Sequence, residues 1–178
     1  KTYCMIKEMV SGNISSTISS NVLGCYQPKS PPVLKFSSTD FSNGGNGNGW
    51  FVSNPKVDEN NPSKIYYIVH VNEKLCNSWN GDGKNVEIFE SVQHELVHIE
   101  IYEKLVNNYG WSGDETDTPA FLTAFQAFIL AEYPGKNYNS VHELMISEYL
   151  DDMVNGVKAA NGNLGTYDDY LGLVVNGF

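Results

Sequence analysis

The sequence reads His94-Glu95-Leu96-Val97-His98 near its midpoint, in a segment that has the pattern of a helix. Side chains four residues apart lie on the same face of a helix, so His94 and His98 can offer ring nitrogens to one metal ion. Glu95 lies about 100° further round the helix, close enough to act on a water molecule at that metal. This combination is typical of zinc peptidases, in which two His bind the metal and Glu is the general base.

The helical pattern around this motif extends over residues 85–109. No Gly or Pro interrupts it, apolar residues recur near helical spacing, and Gly110 follows where a helix would end. The alternative is a pair of ordinary histidines on a helix surface beside a solvated Glu. With four His in 178 residues, the motif should arise by chance in roughly one such sequence in two hundred, which favours the zinc site.

Length and charge narrow the class of protein further. A chain of 178 residues is suited to one domain with a sizeable core. The net charge of −10, with 11 Lys and Arg, predicts that the protein does not bind nucleic acid, because phosphate binding needs a basic patch. No apolar run is long enough to span a membrane, so no membrane span is expected.

The first residue of the sequence and the three cysteines bear on whether the protein is exported. The sequence begins at Lys1 without an initiator Met, which favours a processed product whose targeting segment has been removed. We therefore expect an exported protein, whether periplasmic, surface-anchored or secreted. In such a protein Cys4 and Cys25 could form a disulfide, leaving Cys76 unpaired. Three buried free thiols are an equally acceptable alternative.

Two strands and three further helices are predicted outside the motif helix. β-Branched and aromatic residues favour the strands, and caps and apolar periodicity favour the helices. The helix that starts at Ala120 is almost wholly apolar and is expected to be buried. Ser140 is expected to cap the next helix. The predicted strands are 33–36 and 64–72, and the predicted helices are 120–132, 141–157 and 167–175.

The third metal ligand is not fixed by the motif. Lys104 occupies the position where a metzincin would carry its third His, which excludes that family. His70 lies in a predicted strand, where a lone His is more often a packed or edge residue than a ligand. His142 lies on the helix capped by Ser140, and the residues that share its face are mostly apolar, so that face should point inward. These are Met145, Ile146, Tyr149 and Met153.

A carboxylate could take the place of His142 as the third ligand, giving a His-His-Glu set. Glu115 is the strongest of these alternatives because its loop follows the motif helix. The other acidic candidates are Glu132, Glu143 and Asp117. A core His satisfied by a backbone carbonyl is the alternative for His142 itself.

The arrangement of motifs resembles zincin-type bacterial metallopeptidases with a SprT-like fold. The resemblance rests on H-E-x-x-H at residues 94–98, on His142-x-x-Met145-x-x-x-Tyr149 and on the tyrosine- and glycine-bearing end at residues 167–178. It covers residues 64–178. Ile99 departs from it, since a small residue often follows the second His there. The resemblance implies that His94, His98 and His142 bind zinc and that Glu95 is the base.

We therefore predict a single zincin-like α+β domain over residues 1–178, with a small mixed sheet packed on several helices. Residues 1–60 would be an N-terminal prelude, and residues 64–178 would be the core that carries the metal site. The predicted activity is zinc-dependent hydrolysis of peptide bonds in a peptide or protein substrate. Tyr149 is the candidate second donor to the oxyanion, although a packed core aromatic is the commoner role of such a residue.

Two other functions remain open from the sequence. One is a zinc hydrolase that acts on a non-protein amide, such as a cell-wall crosslink. The other is a binding module that keeps the zinc but does not turn over substrate. The presence of Glu95 disfavours the binding module, because a purely structural zinc has no use for a general base.

Overall fold

The computed structural model describes residues 33–39, 51–58, 61–72, 85–114 and 116–178. Within these ranges the chain forms three strands followed by five helices. Cys4, Cys25 and Cys76, together with most of the predicted N-terminal prelude, lie outside the described residues. The elements are β1 (Val33–Thr39), β2 (Phe51–Asp58), β3 (Asn61–Asn72), α1 (Asn85–Asn108), α2 (Thr118–Glu132), α3 (Val141–Glu148), α4 (Leu150–Ala160) and α5 (Tyr167–Asn176).

The three strands form a small mixed sheet with β3 in the centre. β3 pairs in parallel with β1 and antiparallel with β2. The strand predicted over residues 64–72 therefore exists and begins three residues earlier, at Asn61. Tyr67 and Val69 of this strand are buried and contribute to the hydrophobic core.

Strand β2 was not predicted from the sequence. It contains Pro55, which has no N–H to donate to a sheet and which argues against a strand. The structure accommodates the proline at an irregularity, since the pairing with β3 changes register between Ser53 and Lys56. Gly113, in the loop after α1, lies so close to Pro55 that an added Cβ would be 2.8 Å from the proline Cγ. This close approach connects β2 to the end of α1.

Helix α1 is the 24-residue helix predicted around the motif, and it ends one residue earlier than predicted. It packs against β2 and against the four other helices. Because neighbours surround it, its buried residues are not confined to one side. Past its end, Gly110 has a φ of +75°, and the Trp111 N–H donates to the Leu105 carbonyl at 3.2 Å. Glycine adopts this left-handed conformation without the steric cost that a Cβ brings.

Helix α2 begins at Thr118, two residues before the predicted start at Ala120, and ends at Glu132 as predicted. The Asp117 side chain accepts a hydrogen bond from the Ala120 N–H at 3.0 Å, and Pro119 stands in the first turn. The expectation that this helix is buried is wrong for one of its faces. Phe125 and Phe128 are in the core, whereas Leu130 is 76% exposed. Thr123 and Gln126 are exposed, and they are too few among apolar residues to have marked the outer face clearly.

The helix predicted over residues 141–157 is two helices, α3 and α4, that meet at Tyr149. Ser140 caps α3 as predicted, accepting the Glu143 N–H at 3.1 Å. Tyr149 has φ −118° and ψ −9°, which departs from regular helical values, although its N–H still donates to the Met145 carbonyl. The predicted last helix is confirmed and extends one residue further, to Asn176.

The expected α+β class is confirmed in its coarse form, since the described part combines helices with a small mixed sheet and is dominated by the helices. One hydrophobic core includes residues from β3 and from all five helices. In the described ranges, no helix combines the length and apolar character that crossing a membrane requires. The single-domain prediction for residues 1–178 stays a prediction.

Candidate metal centre

Three histidines from two helices converge at one point. Helix α1 contributes His94 and His98, and α3 contributes His142. The His98 Nε2 lies 3.2 Å from the His94 Nε2 and 3.1 Å from the His142 Nε2. One ligand atom from each of the three lies within 4.8 Å of the other two, close enough for all three to bind a single metal ion.

The separation of the ring nitrogens is close to that of ligands on a tetrahedral ion. Zinc–nitrogen bonds of about 2.0–2.1 Å at tetrahedral angles place neighbouring nitrogens about 3.3–3.4 Å apart. Hydrogen bonds between neutral imidazoles explain this arrangement less well than a shared metal ion does. The His98 Nε2 faces two other nitrogens, whereas a ring nitrogen carries either one proton or one lone pair in the ring plane. The donor set therefore fits a metal ion.

Burial favours the neutral form of the three rings. Burial and, to a smaller extent, the nearby His142 together lower the pKa of His94 to about 4. Burial, together with the other two histidines, lowers the pKa of His98 well below its usual value. Partial burial also lowers the pKa of the more exposed His142. Neutral imidazole is the form that binds a metal, so each of these shifts favours metal binding.

Aromatic rings flank the three imidazoles on two sides. The Phe178 ring lies 4.9 Å from the His94 ring and 5.8 Å from the His142 ring, centroid to centroid. The Tyr102 ring lies 5.9 Å from the His98 ring. These contacts restrict the rotation of the ligand side chains and hold the Nε2 atoms together.

His142 lies at the site, but the face of its helix is less buried than the sequence predicted. The predicted inward face of its helix is only partly buried: Met145 and Tyr149 are buried, but Ile146 is 42% exposed. His142 is itself exposed, while His94 is buried and His98 is half-buried. His142 is the second residue of α3, and it reaches the pair on α1 from that first turn. Solvent can therefore approach the centre from the His142 side.

The described acidic alternatives to His142 have other partners. Glu132 accepts a hydrogen bond from the Tyr109 hydroxyl at 2.7 Å, and Asp117 caps α2. Glu143 accepts the Asn139 N–H at 2.7 Å at the start of α3. Glu115 lies outside the described residues. His70 is on β3 and is not part of the three-histidine group.

The proposed general base, Glu95, is buried, with 3% of its surface exposed. It follows His94 directly on α1, and helical geometry places it about 60° round from His98. A carboxylate beside the ligand pair is where a base for a metal-site water would stand.

Tyr149 does not point to the metal centre as the sequence led us to expect. Its hydroxyl donates to Glu100 Oε1 at 3.2 Å and accepts from Lys104 Nζ at 3.4 Å. Glu100 lies about 120° round α1 from His94, on a different face of the helix. Burial, together with Glu100, raises the pKa of Tyr149 well above its usual value. Tyr149 stands at the junction of α3 and α4, where the backbone departs from regular helical values.

Replacing Tyr149 with Phe is therefore expected to lower stability and to leave metal content unchanged. The variant loses a buried hydrogen bond to Glu100, which should lower the free energy of unfolding by about 1–2 kcal/mol. Urea unfolding and elemental analysis of the wild type and the variant would measure both quantities. A fall in hydrolytic turnover at unchanged stability would instead restore the predicted oxyanion role.

Two residues near the candidate metal centre were not predicted from the sequence. Glu90 is 5% exposed, and its Oε1 has no hydrogen-bond partner among the described residues. Burial raises the pKa of Glu90 to about 7, against a lowering contribution from the Ser91 hydroxyl. The spacing in the sequence could have indicated Glu90, because it precedes His94 by the same four residues that separate His94 from His98. Phe178 is remote in sequence, and no local pattern marks it.

Comparison with known proteins identified no relative of this chain. No family model matches the chain, and no curated protein or solved structure matches it either. The structure by itself defines a three-histidine group able to bind a metal ion. The identity of that metal has to be inferred from the donor chemistry.

Proposed function

We propose that the protein is a zinc-dependent metallopeptidase of the zincin type. The observation that carries this proposal is the convergence of the His94, His98 and His142 Nε2 atoms. Glu95, which is buried, follows His94 on the same helix. Three imidazoles form a nitrogen donor set that suits zinc and leaves a fourth tetrahedral position for water or substrate. Purely structural zinc sites more often use four protein ligands, so three histidines favour a catalytic role.

A bound zinc ion would supply Lewis-acid polarisation of the scissile carbonyl and would lower the pKa of the attacking water. The chain's own contribution begins with the ligand rings, whose lowered pKa values favour the neutral form and whose rotation is restricted by neighbouring aromatic rings. The Glu95 carboxylate would take a proton from the water as it attacks the carbonyl. Glu95 would then pass that proton to the nitrogen of the leaving amine. Peptide hydrolysis needs both transfers.

The substrate class is open to one specific alternative. The same chemistry would hydrolyse a non-protein amide such as a cell-wall crosslink, and export of the protein would place it where such substrates occur. Hydrolysis of muropeptides without hydrolysis of casein would favour that alternative. Zinc binding without turnover of either substrate would instead favour a binding module.

Purified protein is expected to contain one zinc ion per chain and to cleave unstructured peptides. Incubation with a strong chelator should remove the zinc and reduce cleavage to background, and one equivalent of zinc should restore it. Elemental analysis and a fluorogenic peptide library would provide the two measurements. Protein that takes up no zinc, even from a solution containing the metal in excess, would overturn the proposed function.

A further inference from the structure

Glu90 is a buried acid one helical turn from the metal centre. On α1, residues 90, 94 and 98 follow one another at intervals of four, so Glu90 lies on the same face as His94 and His98. It is 5% exposed, and its Oε1 finds no hydrogen-bond partner in the described ranges. A buried carboxylate oxygen without a partner is costly, so its retention needs an explanation.

His94 has a complementary unpaired group. Its Nε2 faces the other histidines, whereas its Nδ1 is buried and has no partner among the described residues. Side chains in a helix lean towards the N-terminus, over the turn that precedes them. The His94 ring therefore leans over the turn that carries Glu90, and the two unsatisfied groups are an acceptor and a potential donor.

The segment after α5 covers this pair. Gly177 packs against the Glu90 carboxyl group, and a Cβ at position 177 would collide with Glu90 Oε1. The ring of the next residue, Phe178, packs on the His94 ring. This cover limits the access of bulk water to Glu90 and His94. The Ser91 hydroxyl donates to Glu90 Oε2 and leaves Oε1 available.

Gln93 is the other buried polar residue of this turn, and it serves a different contact. Its Nε2 donates to the Asp152 carbonyl at 3.3 Å, which directs the side chain to the start of α4, while its Oε1 has no partner among the described residues. Helical geometry places Gln93 about 100° away from His94, whereas Glu90 is about 40° away. Glu90 is therefore the better placed acceptor.

We propose that Glu90 is a positioning residue of the metal centre, whose carboxylate accepts the Nδ1–H of His94, directly or through one water molecule, when a metal binds the Nε2. The proposal rests on the metal site of the proposed function. A ligating histidine that donates its second N–H to a carboxylate is held in one tautomer and orientation, and its metal-binding nitrogen becomes more basic. The carboxylate thus raises the affinity of the site for the metal without touching it.

Zinc affinity tests this role without any assay of activity. Competition with a chromophoric chelator would give the zinc Kd of the wild type, Glu90→Leu and Glu90→Gln. We expect Glu90→Leu to bind zinc about 10- to 100-fold more weakly. Glu90→Gln should show a smaller loss, because its amide oxygen can still accept a hydrogen bond. Glu103→Gln is the matched control: Glu103 is a half-buried acid on the opposite side of α1, and its replacement should leave the Kd unchanged.

An NMR measurement tests the same role with the wild type and Glu90→Gln, and so it does not depend on the folding of Glu90→Leu. In the zinc-loaded wild type, the His94 Nδ1–H should give a downfield NMR signal protected from exchange, and Glu90→Gln should shift it. Wild-type zinc affinity in the Glu90 variants, or an unshifted His94 signal in Glu90→Gln, would overturn the role of Glu90 while leaving the zinc site in place. Absence of zinc binding by the wild type would overturn the site itself.

Discussion

Replacing Glu95 with Gln is expected to lower peptide hydrolysis by about a hundredfold to ten-thousandfold while zinc remains bound. Gln has nearly the same shape as Glu, so the buried position on α1 should accept it. It cannot take a proton from the attacking water, and that transfer is the step assigned to Glu95. The measurements are kcat and KM on a cleaved peptide, with the zinc content of the same samples.

The same substitution at Glu103 is a suitable comparison, because Glu103 is another acid of α1, half-buried where Glu95 is buried, and lies away from the histidine face. Its replacement should change kcat little. If Glu95→Gln turned over substrate as fast as the wild type, Glu95 could not be the general base. If it instead lost its zinc, the role of Glu95 would be in assembling the site.

Replacing His142 with Ala is expected to weaken zinc binding by more than about a hundredfold. Loss of a partner that merely supports a ligand already costs 10- to 100-fold, and loss of one of three ligands should cost more. His142 is exposed, so its removal leaves no cavity in the core and should change the stability of the metal-free protein little. Removing the buried His94 would confound the two effects. Zinc Kd and thermal unfolding of the metal-free protein are the measurements.

His70 provides the matched control for the histidine substitution. It lies on β3, outside the three-histidine group, so His70→Ala should retain wild-type zinc affinity. Undiminished zinc binding by His142→Ala would show that another residue is the third ligand. Glu115, which the sequence left open and which lies outside the described residues, would then be the first to replace.

Helix α1 illustrates what could be read without a structure. Its extent, its ending near Gly110 and the shared face of His94 and His98 all follow from spacing within one continuous segment. Helical periodicity is a local property of the backbone, so residues four apart must be neighbours whatever surrounds them. The caps of α2 and α3 were predictable for the same reason, since a cap bonds to the backbone within three residues.

Strand β2 and the break at Tyr149 show where local patterns fail. Pro55 made residues 51–58 unlike a strand, yet pairing with β3 imposes one and absorbs the proline at a change of register. The apolar periodicity of residues 141–157 continues through Tyr149, so nothing local marks the break there. The side chain's contact with Glu100, on another helix, accompanies that break. Both features depend on partners that are distant in the chain.

The candidate metal centre divides in the same way. The sequence by itself determined the pair His94 and His98 and the neighbouring Glu95, because one helix places all three. The approach of His142 to this pair was decided by tertiary structure, which seats α3 against α1 and gives Glu132, Glu143 and Asp117 other partners. The burial of Glu90 beneath Gly177 was decided there too. Contacts between elements depend on how helices pack, and packing sums many weak apolar contacts that no short segment encodes.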